Sequence, residues 1–298
     1  MTIMERQPAQ KRAWKDNSLF KKQQTQSNII FCTVFLVGQE SCKRMATAAE
    51  CADSVPTDTS SYEYSEGDWE REGEAKVREV VQKTWPQGIE VYKKQKDEWP
   101  SSGKHIVASY DDSSIVVYQA FCPAIADSAV KDQKFGGGGF SFTRMSWIKT
   151  NFLWMMYRCG WATKHKQERI LAVRITLQGF NQILAAALTS ELQKTQGLDQ
   201  CEVRLQWDPD HSPIGGKLTR RAIQLGLKDD ILRKYSDEWI VSITDVTPFV
   251  RHQHRVLKQK GQFEVSTPHE KVYTTPSEST RQRIGLDPYF SSQAQLVS

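Results

Sequence analysis

The amino-acid sequence predicts an α+β fold: a single domain with a mixed, mainly antiparallel sheet, flanking helices, and disordered extensions at both ends. Short apolar runs typical of strands interleave with amphipathic helical segments. An early strand–turn–strand signal argues against a doubly wound parallel sheet. Polar segments flank the apolar part, and such segments bury too little apolar surface to fold. We therefore predict a mostly disordered extension over residues 1–102, a folded domain over 103–262 and a disordered tail over 263–298.

The N-terminal extension contains one predicted helix and one apolar run. Asp68 is a suitable N-cap for a helix over residues 68–85, and Pro86 ends it. The run Ile29–Gly38 has ten residues, which is too short to span a bilayer, so no membrane partner is expected. Because the composition changes at Met45, we expect that residue to be an alternative start of the chain.

The first half of the predicted domain has the pattern of a hairpin followed by a short helix. Two apolar runs, 105–110 and 115–121, surround an Asp-Asp-Ser-Ser turn. Pro123 stands near the start of an Ala-rich helix over 123–130. Four glycines at 136–139 then interrupt the pattern. No Gly-Lys-Ser/Thr follows them, so they do not form a phosphate-binding P-loop.

The second half alternates helices and strands. The most apolar helix covers residues 150–158, with Thr150 or Asn151 as its N-cap and Gly160 at its end. Thr247-Pro248 opens a last helix that continues to Lys260. Between them the sequence predicts strands at 170–176, 202–207 and 239–244, helices at 180–192 and 229–235, a turn at 208–211, and a segment at 220–227 that is ambiguous between strand and helix.

The predicted domain is mildly basic. Residues 101–265 contain twenty-two Lys and Arg against sixteen Asp and Glu, a difference of +6. This balance suits a nucleotide, another phosphate-bearing ligand or nucleic acid, although it is also common in proteins that bind none of them. The histidines and cysteines are scattered without metal-ligand spacing, so no metal site is expected. Scattered cysteines are also typical of an intracellular protein, cytoplasmic or nuclear.

The segment from Arg144 to Trp161 is the most distinctive candidate binding site. Within it basic residues alternate with aromatic ones: Arg144, Lys149 and Arg158 with Trp147, Trp154, Tyr157 and Trp161. A planar base with phosphates requires aromatic surfaces for stacking and cations for charge pairing. The alternative is a core helix formed by the apolar residues, with the basic residues at its wet edge. The sequence leaves both interpretations open.

Several blocks of the chain, in order, resemble the family called domain of unknown function 4291. They are Val117–Phe121, Arg144–Lys149, Phe152–Arg158, Gly160–Lys164, Gln167–Arg169, Gln206–Pro209, Ile223–Leu227 and Asp237–Val241. Three positions depart from the family pattern: Val107 stands where Arg is expected, and Thr150-Asn151 replaces Pro-Ser. The resemblance covers about residues 103–262 and implies the domain, whereas the family name assigns no activity.

The segment from Tyr235 to Val241 is also similar to the last catalytic strand of ADP-ribosyltransferases. In that fold a Glu at the start of an aromatic-aliphatic strand stabilises the oxocarbenium-like transition state as nicotinamide leaves, and Glu238 has the matching place here. Val117-Tyr118-Gln119 resembles the Val-Tyr-Arg of one branch, with Gln119 where Arg or His is usual. The alternative is that Glu238 only caps a surface strand.

This second resemblance implies an enzyme that uses NAD, with an unidentified acceptor and with Glu238 as the catalytic residue. The dinucleotide contacts it implies are Tyr118, Gln119, Arg144, Tyr157 and Arg158. Two alternatives stay open. One is a regulatory or scaffold domain whose aromatic residues are all core. The other is a non-catalytic nucleic-acid-binding module whose phosphate contacts are Arg144, Lys149, Arg158, Lys164 and Lys166.

Overall fold

The computed structural model of this chain describes residues 66–197 and 201–289, with side chains from residue 74 onward. Its helices are α1 (Glu66–Thr84), α2 (Tyr92–Glu98), α3 (Pro123–Asp132), α4 (Phe152–Cys159), α5 (Leu177–Ala186), α6 (Ser190–Thr195), α7 (Asp229–Lys234), α8 (Thr247–Lys260) and α9 (Glu278–Ile284), with a π-helical turn at Tyr235–Trp239 and a 3-10 turn at Gln262–Glu264. No helix in this described part is long and apolar enough to cross a membrane.

The strands are β1 (Ile89–Val91), β2 (Gly103–Lys104), β3 (Ile106–Ala108), β4 (Ser114–Phe121), β5 (Ser146–Lys149), β6 (Arg169–Thr176), β7 (Ala187–Thr189), β8 (Val203–His211), β9 (Lys217–Leu227), β10 (Ile240–Asp245), β11 (Ser266–Pro268) and β12 (Lys271–Tyr273). The main sheet has the order β10-β6-β4-β5-β9-β8-β7, and β2 also pairs with β9. Its pairs are antiparallel except β7–β8 and β2–β9. The predicted α+β class with a mainly antiparallel mixed sheet is therefore confirmed.

Each face of the main sheet packs against its own set of helices, because successive side chains of a strand point to opposite faces. On β4, Ile115 and Val117 belong to the core cluster that includes α5 residues such as Phe180. Val116 and Tyr118 belong to the cluster formed with α4 and α8. We call these two sides the α5 face and the α4 face.

Helix α4 forms where the sequence predicts it, and local signals fix both of its ends. The side chain of Asn151 accepts a hydrogen bond from the backbone N–H of Trp154 at 2.8 Å, which satisfies one of the free N–H groups of the first turn. Gly160, with φ 59°, ends the helix in the left-handed conformation. The buried carboxylate of Glu270 accepts the N–H of Phe152 at 2.7 Å. The helix is therefore anchored from a distant part of the chain.

Two predicted segments differ from the observed elements. The predicted turn at 208–211 is part of β8, where Asp208 pairs with Ala222 and Pro209 with Arg221. The predicted helix at 180–192 is divided into α5, β7 and α6, because residues 187–189 pair with β8 as a parallel strand. In both cases pairing with a distant strand outweighs the local preference. The same pairing resolves the ambiguous segment at 220–227, which lies within β9.

The predicted hairpin at 105–121 forms only in part. Strand β4 pairs with β5 and β6, whereas β3 pairs with β12 near the C-terminal end of the described chain. An isolated bridge between Tyr110 and Ile115 closes the turn between the two segments. The turn was therefore predicted correctly, but the main partner of the first strand was not.

The folded domain extends beyond the predicted limits of 103 and 262. Helix α1, predicted at 68–85, forms and contacts α8 and β10. The tail predicted to be disordered contains β11, β12 and α9, and β11 pairs with β1. This part of the prediction was wrong for residues 263–289, because these strands are stabilised by partners far away in sequence. Predictions for residues 1–65, including the start at Met45, and for the last nine residues lie outside the described part of the chain.

Candidate functional site

Tyr118, predicted to contact a dinucleotide, lies in the core of the α4 face. Its side chain is fully buried, and its hydroxyl accepts a hydrogen bond of 2.9 Å from the indole N–H of Trp85. Its ring packs edge-on against Phe152, with 5.6 Å between the ring centroids. Burial raises the pKa of Tyr118 well above its ordinary value. Tyr118 therefore contributes to packing and has no surface open to a ligand.

Gln119 follows Tyr118 on β4 and so points to the opposite, α5 face. Its amide accepts a hydrogen bond from the Tyr235 hydroxyl at 2.7 Å and donates one to the Ser146 hydroxyl at 2.8 Å. It is buried. These two bonds use the donor and the acceptor of the amide to join β4, β5 and the π-helical turn, so Gln119 serves as a cross-link within the fold.

Glu238 lies in the π-helical turn just before β10, and its side chain is exposed. Strand pairing places Ile240 opposite Ile175, and Ile175 opposite Ile115. The turn therefore lies level with the beginning of β4, about 13 Å along the strand from Gln119 at about 3.3 Å per residue. Glu238 is thus close to the edge of the sheet and separate from the side chain of Gln119.

Two of the remaining predicted residues lie on α4, and the third lies in a loop. Tyr157 and Arg158 are in the last turn of α4, where Tyr157 is 46% exposed. Arg144 is exposed in the loop that leads into β5. Because Gln119 points to the other face, the six residues predicted from the sequence do not surround one cleft. Tyr157 and Arg158 instead border a different group of polar side chains.

A row of polar side chains crosses the α4 face on strands β5, β9 and β8. Lys149 lies opposite Tyr118 on one side and Gln224 on the other, and Gln224 lies opposite Gln206. The amide of Gln224 donates a hydrogen bond to that of Gln206 at 2.6 Å. The face therefore changes from apolar to polar between Tyr118 and Lys149. We call this part, formed by Trp147, Lys149, Arg204, Gln206, Asp208 and Gln224, the polar face.

Lys149 is the most unusual group of the polar face because it is a lysine with only 4% of its surface exposed. Its amine lies 5.3 Å from the centre of the Trp154 ring. Burial, followed by the nearby positive charge of Arg158, lowers the pKa of Lys149 to about 7, whereas Asp208 opposes the shift. A large fraction of the amine is therefore uncharged at neutral pH.

Asp208 is the acidic group of the polar face. Burial raises its pKa above the ordinary value, and the charges of Lys149, Arg221 and Arg158 oppose that effect. Its Oδ2 has no hydrogen-bond partner among the described residues, and neither does the buried indole N–H of Trp154. The nearby indole N–H also favours the ionised form of Asp208, but the pair does not meet the geometry of a hydrogen bond. Both groups therefore keep bonding capacity in the same place.

A stacked pair of rings stands beside the polar face. The rings of Tyr157 and His211 are nearly parallel, with 3.6 Å between their centroids, and Trp154 is 5.7 Å from each. His211 is 3% exposed, and neither ring nitrogen has a hydrogen-bond partner among the described residues. Burial lowers its pKa, so the neutral ring is favoured. The stack forms an aromatic wall at the C-terminal end of β8.

Trp147 covers the other end of the polar face. A Cβ atom at Gly226 would lie 3.0 Å from the indole of Trp147 and 2.5 Å from the sulfur of Met145. The absence of a side chain at Gly226 therefore lets the indole approach the backbone of β9. Trp147 is partly exposed, so the ring has one side against the strand and retains some accessible surface.

The sequence reasoning found the part of the site that lies on β5 and α4 and missed the part on β8 and β9. Arg204, Gln206 and Asp208 alternate with apolar residues, which is the pattern of a strand with one polar face. That alternation was the available signal, but assigning 208–211 to a turn concealed it. The register that brings Asp208 near Lys149 is set by pairing of β9 with both β5 and β8.

The comparisons with known proteins agree with the resemblance found in the sequence. The family described as domain of unknown function (DUF4291) matches residues 105–273, which is more than half of the chain. The chain belongs to this family. The matched DUF4291 region contains the whole polar face and also β11 and β12, so it supports the extended domain limit. A search of curated proteins finds no match.

Proposed function

We propose that this DUF4291 protein binds a small phosphate-bearing ligand with an aromatic ring, such as a nucleotide, on the polar face. The observation that carries the proposal is the set of unpartnered polar atoms of Asp208, Trp154 and His211 beside the buried amine of Lys149. Buried polar groups in folded proteins nearly always have hydrogen-bond partners. A cluster of free ones on one face is what a ligand site presents before the ligand is bound.

The charges of the site favour an anion. Arg158 and Arg204 supply guanidinium groups, and Arg158 and Arg221 lie close enough to act on Asp208. Guanidinium groups form paired hydrogen bonds with phosphate oxygens, and this geometry makes arginine a common phosphate ligand. Asp208 is the only carboxylate among the residues that define the polar face, whereas two of them, Lys149 and Arg204, are basic. Ligand phosphates would be held by the arginines.

The other groups suit a planar ring with polar edges. Trp147 offers a partly accessible indole, and stacking of a base on an aromatic side chain is worth about 1–3 kcal/mol. The amides of Gln206 and Gln224 can each donate and accept hydrogen bonds, as the edge of a nucleobase requires. This combination distinguishes a nucleotide from inorganic phosphate, which would use the cations alone.

The proposal is tested by measuring binding of ATP, ADP, AMP, NAD and pyrophosphate to the full chain by calorimetry. At least one nucleotide is expected to bind more tightly than pyrophosphate. Arg158→Ala and Arg204→Ala should each weaken its binding by roughly tenfold, the effect of losing about 1.4 kcal/mol. Lys131→Met, an exposed position on α3, serves as the matched control for charge loss. Absence of binding by the whole panel, or binding unaffected by both arginine variants, would reject the proposal.

Transfer of ADP-ribose from NAD is the second candidate function. NAD carries two phosphates and two aromatic rings, so it belongs to the proposed ligand class. The exposed Glu238 follows Tyr235, and the hydrogen bond of Tyr235 to Gln119 fixes that turn to β4. The test is release of nicotinamide from NAD by the full chain and by Glu238→Gln. A rate that is the same in both proteins would remove Glu238 from the catalytic role.

Binding of single-stranded nucleic acid would use the same chemistry on a longer ligand. Lys164 and Lys166 follow α4 and would extend the phosphate contacts beyond Arg158. Affinity for an oligonucleotide should then fall steeply with salt, because neutralised phosphates release their counterions. Affinity that is independent of salt would reject nucleic-acid binding, and only the small-ligand proposal would remain. Either ligand is consistent with the intracellular, cytoplasmic or nuclear location that we propose from the sequence.

A further inference from the structure

We propose that Lys149 is a nucleophile that forms an imine with a carbonyl group of the ligand on the polar face. This inference rests on the proposed function, since it requires a ligand at that face, and it adds a covalent step. It is carried by the position of the amine, by its surroundings and by the free carboxylate oxygen of Asp208.

The position of Lys149 is fixed by the sheet. Strand β5 pairs with β4 on one side and with β9 on the other, and Lys149 is paired on both sides, with Tyr118 and Gln224. A side chain that starts from the interior of a sheet has fewer positions available than one on a loop. The amine is also enclosed, with the Trp154 ring 5.3 Å away. A reacting ligand would therefore meet the amine in a defined place.

The surroundings of Lys149 favour the uncharged, nucleophilic form. A lysine becomes reactive when it is desolvated or lies next to another cation. Both conditions hold here, because Lys149 is buried and Arg158 lies near it. A lysine that served only as a cation would be expected at the surface, where the ammonium group is hydrated. The enclosed amine is thus better suited to attack than to charge pairing.

Asp208 can carry the protons that imine formation requires. In the first step the amine lone pair attacks the carbonyl carbon, the electron pair of the C=O bond moves to oxygen, and the nitrogen loses a proton as the oxygen gains one. In the second step the protonated carboxyl of Asp208 gives its proton to the hydroxyl, the nitrogen lone pair forms the C=N bond as the C–O bond breaks, and water leaves. The remaining N–H proton returns to the carboxylate. The products are the imine and one water molecule.

Burial raises the pKa of Asp208, so its carboxyl can hold a proton closer to neutral pH than an exposed aspartate can. Its Oδ2 has no partner among the described residues, and this leaves the oxygen free to exchange a proton with a ligand. Lys149 and Asp208 influence each other's pKa without forming an ion pair at contact distance. In the proposed reaction the ligand carbonyl group lies between these two side chains.

The test uses two aldehydes on the full chain at neutral pH, with cyanoborohydride to reduce any imine and peptide mass spectrometry to locate it. Pyridoxal 5′-phosphate is an aromatic aldehyde with a phosphate, and pyridoxal is the same aldehyde without it. With its pKa at about 7, roughly half of Lys149 is free amine at pH 7, against about one in 2,500 for an ordinary lysine. Lys149 should therefore be modified at least roughly tenfold faster than Lys131.

Modification of Lys149 at the rate of Lys131 or more slowly, in the folded wild-type protein, would overturn the proposal without requiring any variant. Lys149→Arg should abolish labelling at this position and leave labelling at Lys131 unchanged. Asp208→Asn should slow imine formation at Lys149 by roughly tenfold, a barrier change of about 1.4 kcal/mol, and an unchanged rate would remove Asp208 from the mechanism. Circular dichroism confirms that each variant is folded.

The two parts of the proposal fail differently. Fast labelling of Lys149 at equal rates by both aldehydes would retain the reactive amine and reject phosphate recognition. Binding of pyridoxine 5′-phosphate, which has the phosphate but no aldehyde, together with slow labelling of Lys149 would retain the ligand site and reject the imine. Support for both requires that the phosphate increase the labelling rate and that Arg158→Ala remove this advantage.

Discussion

Replacing Lys149 with Met changes how the stability of the protein depends on pH. The pKa of this amine is 10.5 for an ordinary lysine and about 7 in the folded protein. The unfolded chain therefore binds one more proton than the folded chain between these two values. The free energy of unfolding of the wild type must rise with pH over that interval, because the proton that opposes folding is released.

The magnitude follows from the same two pKa values. Each pH unit over which only the unfolded chain is protonated contributes about 1.4 kcal/mol. The folded amine is half protonated at pH 7, so the gain of the wild type over Lys149→Met from pH 7 to pH 9 is about 2 kcal/mol. Methionine has a similar length and carries no titrating proton. The variant should therefore gain stability relative to wild type as the pH falls, and exceed the stability of wild type at pH 7.

Urea denaturation at pH 7, 8 and 9 measures this difference, with the free energy of unfolding extrapolated to zero denaturant. The charged groups that act on Lys149 are Arg158, Asp208 and Cys159. Burial raises the pKa of Cys159 to about 11, which is outside this range. Asp208→Asn is measured in parallel to separate the contribution of that carboxyl. A difference between wild type and Lys149→Met that does not change with pH would refute the reasoning.

Three further changes test the packing that positions the site. Arg220→Met should destabilise the protein by about 3–5 kcal/mol in urea denaturation, since it leaves the buried Asp210 carboxylate without its cation. Gly179→Ala should cost about 1–3 kcal/mol by thermal unfolding, because the new Cβ would lie 2.4 Å from the Trp239 side chain; equal melting temperatures would contradict this. A chain truncated after Gln262 should lose cooperative unfolding in calorimetry, since it lacks β11 and β12, which pair with β1 and β3. A sharp transition in that fragment would support the shorter domain that was predicted from the sequence.

Local signals in the sequence were sufficient for elements whose ends are set by their own residues. Helix α4 was predicted from Asn151 and Gly160, and both act as its caps. Helix α8 forms over the expected range with Pro248 in its first turn, but the prediction of Thr247 as its N-cap was wrong, because Val246 occupies that position. In these segments the hydrogen bonds are made within a few residues, so composition and spacing contain the necessary information.

Elements stabilised by distant partners could not be predicted in this way. Asp208-Pro209-Asp210 has the composition of a turn, yet it extends β8 because β9 supplies the pairing, with a register shift after Pro209. Proline cannot donate a hydrogen bond to a neighbouring strand, so it occurs in strands mainly at irregular positions such as bulges. The tail after Gln262 has the composition of a disordered segment, but it provides the buried Glu270 that bonds to α4. Nothing in the local sequence specifies these contacts.

The candidate site was likewise predicted only where its residues are close together in the sequence. Trp147, Lys149 and Arg158 were identified from the alternation of aromatic and basic residues within one segment. Their relation to Asp208 depends on the order β5-β9-β8, which is set by two strand pairings. The acid predicted from the sequence was instead Glu238, whose turn lies beside the edge strand β10. Without that strand order, the sequence does not show which acid lies near Lys149 and Arg158.

The buried amine of Lys149 is difficult to explain as a structural feature. Its neighbours in the same row of the sheet are Tyr118, which is fully buried, and Gln224. A methionine there could contact Trp154 without desolvating an amine, and removal of buried charge by apolar replacement is often stabilising. Residues that lower stability in this way are typical of functional sites, where activity requires a strained or desolvated group. Stability measured at pH 7 should therefore be higher for Lys149→Met than for wild type, whereas ligand binding or imine formation at the polar face should be lost in the same protein.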